Sequence, residues 1–113
     1  NNNIVSVDKE AFLKGLRKVS TIIGRTEPVR LSMSAGKMEI EAVSDIGHAK
    51  EVIDVEYSGE EITLNFNVRF VVDVVSHIAE ESILLKAPST YGAVLFEGNG
   101  GEEYKNIVMP IRV

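Results

Sequence analysis

Two histidines, 17 carboxylates and 12 basic side chains are what this 113-residue sequence offers for chemistry, and it has no cysteine. Without a thiol there is no disulfide framework, no thiolate metal site and no cysteine nucleophile. His48 and His77 stand too far apart to share a local ligand motif, and they read as a surface-loop histidine and a helix-face histidine. The acidic pairs Glu60-Glu61, Glu80-Glu81 and Glu102-Glu103 fall beside turns or helix ends, where solvated carboxylates are ordinary. Gly98, Gly100 and Gly101 have the composition of a phosphate cradle, but a strand follows them rather than a helix with a Lys-Ser/Thr pair, so they read as a hairpin loop. No Ser-His-Asp order with a nucleophile elbow is present. The residues point away from catalysis, from a metal and from any cofactor.

Two stretches could serve binding instead. Lys14, Arg17 and Lys18 fall on one side of a helical pattern whose other side is Phe12, Leu16, Val19 and Ile23, with Leu13 at its border. Such a cationic face can meet phosphates, although most charged helix faces are simply solvated. The second stretch is the apolar C-terminus, Asn106 to Val113, which ends with no polar tail and contains a proline that cannot donate to a strand ladder. A methionine, a proline and branched aliphatics there suit a site for an extended peptide; equally, they suit a last strand that completes the core.

The elements that must position these residues follow from periodicity. At 113 residues and 44% hydrophobic, residues 1–113 make one domain with a sizeable core. A net charge of -5 argues against nucleic-acid binding by bulk electrostatics while leaving room for a local basic face. No apolar run is long enough to span a bilayer and no signal-like segment opens the chain, so no membrane partner is expected and a cytoplasmic location fits. The opening Asn1-Asn2-Asn3 lacks an initiating methionine, as a piece of a longer protein would. A short strand over Ile4 to Val7 leads through the cap Asp8 into a helix from Lys9 to Ile23 ended by Gly24. Val29, Leu31 and Met33 and then Met38, Ile40 and Ala42 alternate on either side of Ala35-Gly36, which is a hairpin; a third strand runs from Ala49 to Tyr57.

Val55 to Tyr57 and Ile62 to Phe66 flank Ser58-Gly59 and read as a second hairpin, after which Asn67 caps a helix from Val68 to Glu80. Three further strands are expected over Ile83 to Ala87, Ala93 to Glu97 and Tyr104 to Val113. The chain is thus a duplication of one unit, strand, helix and three strands. Two such units imply an α+β domain with two helices packed side by side against antiparallel sheets. Its sheet edges need neighbours or charges to prevent stray pairing.

Three phrases carry a resemblance: Glu56-Tyr57-Ser58-Gly59-Glu60-Glu61, the run from Phe66 to Val75, and Val108-Met109-Pro110-Ile111-Arg112-Val113, with Val29-Arg30-Leu31-Ser32 also in order. Over nearly its whole length the chain resembles the C-terminal third of the bacterial replicative sliding clamp, the beta subunit of DNA polymerase III. The resemblance implies the DNA-clamp fold, within a ring of two subunits of three such domains each. It implies a non-enzymatic processivity factor in which double-stranded DNA threads the hole, with Lys14, Arg17 and Lys18, and more weakly Arg69, making sequence-independent phosphate contacts. It further implies a pocket for short peptides of the replicative polymerase, clamp loader and repair proteins. That pocket would be formed by Asn67, Phe70, Tyr91, Ala93, Ile107, Met109, Pro110, Ile111 and Arg112. Ile22 and Ile23 would meet the next subunit in the homodimer. The alternative is a free-standing interaction module that uses its sheet edges or tail and never meets DNA.

Overall fold

The structure is a computed structural model that describes residues 2–22, 28–45, 47–88, 92–100 and 105–111. Asp8 closes β1 (Asn2–Asp8) and caps α1 (Lys9–Ser20), its carboxylate accepting the Ala11 N–H at 2.9 Å. β2 (Pro28–Ser34) and β3 (Lys37–Ser44) form a hairpin in which Val29, Leu31 and Met33 face inward with Met38, Ile40 and Ala42. Gly36 turns this hairpin at φ 74°, a conformation that side chains with a Cβ disfavour. β4 (Gly47–Asp54) pairs with β3. β5 (Ile62–Asn67) runs directly into α2 (Val68–Ser76), and the Asn67 side chain accepts from the N–H groups of Arg69 (3.0 Å) and Phe70 (3.4 Å). β6 (Ser82–Pro88), β7 (Val94–Gly98) and β8 (Lys105–Val108) complete the chain.

The strands make two antiparallel four-stranded sheets, ordered β1-β6-β7-β8 and β4-β3-β2-β5. Each half therefore lends its first strand to the other: β1 lies on β6 and β5 lies on β2. The expected duplication is present as an exchange. The two helices lie side by side, and α1 packs closely on β3 and β4. The approach is permitted by Gly15, where a Cβ would stand 2.7 Å from the Ile40 Cδ1. Between the sheets, Phe66 of β5 meets Phe96 of β7 edge to face, with centroids 5.8 Å apart and planes at 81°.

Among the boundaries that differ from the expectations, β4 stops at Asp54 rather than Tyr57, and the larger differences have physical reasons. Val55 to Tyr57 do not form a hairpin with β5, which lies at the far edge of the second sheet from β4. The alternation is real, but its partners are elsewhere. Val55 N–H donates to the Gly36 carbonyl (3.1 Å), Gly36 N–H to Tyr57 (3.0 Å), and Glu56 exchanges two bonds with Ser6 of β1. The buried Tyr57 spends its hydroxyl on the Glu60 carbonyl and its ring lies against Gly59, so Ser58-Gly59 belong to a crossing strap.

The helices are shorter than expected. α1 stops at Ser20 because the hydroxyls of Ser20 and Thr21 take the carbonyls of Arg17 and Lys18, both at 2.9 Å. Ile23 and Gly24 lie outside the described residues. α2 stops at Ser76 rather than Glu80, with the Ser76 hydroxyl on Val72 O and the His77 Nδ1 on Asp73 O, both 2.6 Å. Lys9 Nζ donates to Ile78 O at 2.9 Å and Lys9 N–H to Glu81 O at 2.8 Å, tying the end of α2 to the start of α1. Finally, β8 ends at Val108 because Pro110 has no N–H to continue the ladder. Within the last expected strand, residues 104, 112 and 113 lie outside the description.

The Phe66–Phe96 contact joins the two sheets within the hydrophobic core, both rings being fully buried. Phe96→Ala is expected to lower unfolding free energy by about 3–5 kcal/mol, read as a shifted urea midpoint at constant slope. An unchanged midpoint would place that contact outside the cooperative core.

Candidate functional site

The cationic side chains sit where α1 favours them. Glu10 lies in the first turn of α1, while Arg17 and Lys18 lie in the last, complementing the helix dipole at both ends. The apolar face of Phe12, Leu13, Leu16 and Val19 is buried, so Lys14, Arg17 and Lys18 are exposed as expected. Together with Glu10, Ala11 and Thr21 they line an open hollow of about 580 Å³. Lys18 is shared with Glu51 of β4 at 3.5 Å, whereas no described carboxylate pairs with Lys14 or Arg17. Counting from the two caps, Asp73 and Ser76 of α2 and the His77 that follows it hold the places of Lys14, Arg17 and Lys18. The basic face therefore belongs to α1. Arg69, although exposed, stands in the first turn of α2 without this company.

The second candidate surface forms where the tail leaves one sheet and reaches the other. Val108 closes β8 opposite Val94, and two residues later Pro110 is buried. Ile111 N–H then donates to the carbonyl of Asn65 at 2.6 Å, on the free edge of β5. Asn65 is two residues before Asn67, so this bond draws the tail to the start of α2. The result is a group of apolar side chains left in solvent: Phe70 at 62% exposure, Ile107 at 72% and Met109 at 54%, with Ile111 beside the Asn65 edge. Ala93 is exposed just before β7. Asn67 is half-buried, and its side-chain oxygen is committed to capping α2. Tyr91 and Arg112 lie outside the described residues.

Pro110 thus shapes this surface from below rather than presenting itself. Asn65 is silent in the sequence because it acts through its main chain. The signal for it is its place two residues before a cap, which Ser6 shares in the first half. Of the two residues expected to meet the next subunit, Ile22 is half-buried against the protein's own core and its carbonyl accepts the Ser44 hydroxyl at 2.6 Å; Ile23 is outside the description. Among the described residues no group of three or more His, Cys, Asp or Glu is gathered for a metal, and no helix is long and apolar enough to cross a membrane.

Comparison with known proteins agrees with this architecture. Residues 1–112 match the family described as DNA polymerase III beta subunit, C-terminal domain. The beta sliding clamp of Streptomyces coelicolor is 29% identical over 119 residues, covering 99% of this chain and 32% of that protein. That of Escherichia coli is 31% identical over 86 residues, covering 75% of this chain and 24% of that protein. The crystal structure of the DNA polymerase sliding clamp from Caulobacter crescentus superposes with a TM-score of 0.92 at 26% identity, over 98% of this chain and 30% of that one. The chain spans about a third of the length of such relatives.

The outer face of the second sheet carries charged pairs beside the exposed Val43 and Val52. Glu41 of β3 accepts a hydrogen bond from His48 Nε2 at 2.6 Å and faces Arg30 Nη1 at 3.7 Å, while Lys50 pairs with Glu39 at 3.3 Å. The His48 hydrogen bond is the largest influence holding the Glu41 carboxyl below its ordinary 4.5; partial burial opposes it, and the charges of His48, Arg30 and Lys50 assist. A carboxyl made more acidic by folding stabilises above its unfolded value, and that contribution is lost as pH falls through the folded value. The melting-temperature gap between wild type and Glu41→Gln is expected to be open at about pH 5.5 and to narrow as the pH falls below the ordinary carboxylate range. A gap that does not narrow on acidification would remove Glu41 from the stabilising network.

Proposed function

The chain belongs to the family formed by the C-terminal domain of the DNA polymerase III beta subunit, and we propose that it serves as the third domain of a ring-shaped sliding clamp. The observation that carries this reading is the family match over residues 1–112, in a chain that spans about a third of its clamp relatives. That match does not favour the free-standing module. The role is one of tethering and binding rather than catalysis, in a replication protein of the cytoplasm.

In this reading α1 faces the duplex. Lys14 and Arg17, with Lys18 partly held by Glu51, give a diffuse positive surface that any phosphate backbone satisfies. Weak contacts are an advantage, because closure of the ring retains the clamp and the contacts have only to allow sliding. Arg69 contributes less, being set apart on α2. Partner proteins dock outside the hole, each through a short extended peptide on the surface of Phe70, Ala93, Ile107, Met109 and Ile111, with Asn67, Tyr91, Pro110 and Arg112 completing the site. Exposed apolar side chains on α2 and on β8, which pack against each other, suit such a docking surface. Ile22 and Ile23 approach the next subunit of a homodimeric ring.

Two experiments test the two halves of this proposal in the intact subunit. Replacing Lys14, Arg17 and Lys18 together with glutamine is expected to shorten residence on circular DNA and to flatten its salt dependence, by about 0.9 in log-log slope for each phosphate no longer neutralised. Unaltered salt-dependent retention would turn α1 away from the duplex. Removing Met109 to Val113 is expected to abolish binding of a polymerase-derived clamp-binding peptide while thermal unfolding stays cooperative. Equal peptide affinity in the trimmed and full forms would exclude the tail from the site.

A further inference from the structure

The two halves of the chain end in the same way. After β4, Glu56 N–H donates to the Ser6 carbonyl at 2.9 Å; after β8, Ile111 N–H donates to the Asn65 carbonyl at 2.6 Å. Ser6 precedes the cap Asp8 by two residues, as Asn65 precedes the cap Asn67. Strand register gives the same correspondence: Val52 lies across the row Thr63, Ser32, Glu39, and Ile107 lies across the row Ile4, Lys86, Leu95. Two residues further along, Asp54 matches Met109, Val55 matches Pro110 and Glu56 matches Ile111. In the first half this strap is internal and is also held by Gly36 on both sides. The second half keeps the backbone path and the main-chain bond but exchanges an acidic surface for an apolar one.

We propose that the bond from Ile111 N–H to Asn65 O is a pin that sets the tail in its binding geometry before any guest arrives. The inference rests on reading the tail as a peptide site, and it makes the Ile111 N–H and the Asn65 carbonyl positioning groups. A segment that has left its last strand is free to fray, and a guest that must order it binds more weakly for doing so. Here the segment after β8 is fixed at both sides of a short span: the β8 ladder holds Val108, and the pin holds Ile111. Between them the proline ring restricts φ, and Pro110 is buried. Met109 and Ile111 are thereby aimed outward by the fold itself.

Two variants in the intact subunit separate the pin from the side chain it carries. Ile111→Pro removes the donor, whereas Ile111→Ala keeps the donor and removes the side chain. A polymerase-derived clamp-binding peptide is expected to bind Ile111→Pro about tenfold more weakly than Ile111→Ala. In the peptide-free wild type the Ile111 amide is expected to exchange with solvent roughly a hundredfold more slowly than an unstructured amide. Equal affinities for the two variants, or an Ile111 amide exchanging at the unstructured rate without peptide, would overturn the pin. If the wild type binds no peptide, the docking reading fails, and amide exchange alone then decides whether the pin exists.

Discussion

Neither half of this chain can finish a sheet with its own residues. β1 is paired with β6 from Asn2↔Pro88 to Asp8↔Ser82, and β5 with β2 from Pro28↔Asn67 to Met33↔Ile62. Each exchanged strand then runs into a helix cap without a spacer, so the partner half's sheet determines where each helix begins. Lys9 closes the arrangement by bonding the carbonyls of Ile78 and Glu81 just past α2. The positions of the basic helix face and of the apolar tail follow from this exchange. α1 starts where β1 leaves β6, and the tail is drawn to β5 because β5 has been carried to the edge of the other sheet.

The exchange repeats a backbone, while the side chains on it diverge. The inward faces keep one chemistry: Phe12, Leu16 and Val19 of the first half correspond to Val71, Val75 and Ile78 of the second, and all are buried. The outward positions do not. The cations of α1 face a mixed set on α2, and the polar row Thr63, Ser32, Glu39 corresponds to Ile4, Lys86, Leu95 on the first sheet. Core positions are constrained by volume and dryness in both copies, whereas an exposed position is free to take whatever its surroundings reward. A duplicated fold can in this way hold a cationic helix and an exposed apolar surface that share no residue.

What could be read in the residues was what local periodicity controls. Alternation in Val29, Leu31, Met33 and Met38, Ile40, Ala42, the cap at Asn67 and the repeat itself were legible because each is encoded within a few neighbours. Val55 to Tyr57 are of another kind. Two alternating runs around Ser58-Gly59 suit a hairpin locally, and only the distant partners Ser6, Gly36 and β2 decide otherwise. Helix ends were overrun at Ser20 and Ser76 because hydroxyl and imidazole groups took the last carbonyls, a competition invisible to a hydrophobic period. Asn65 is silent in the sequence because main-chain recognition leaves no trace in residue type. The cationic face and the tail were visible as residues, but their surroundings depend on which strands are neighbours.

The central claim is that this fold gives α1 to the duplex and the tail to passing partners. Site-specific photo-cross-linking in the intact ring loaded on circular DNA tests it most directly, with the photoreactive residue placed at Ala11 beside the cations or at Ile107 beside the tail. The account predicts cross-links to DNA from Ala11 and none from Ile107. DNA cross-links from Ile107 with none from Ala11 would contradict it.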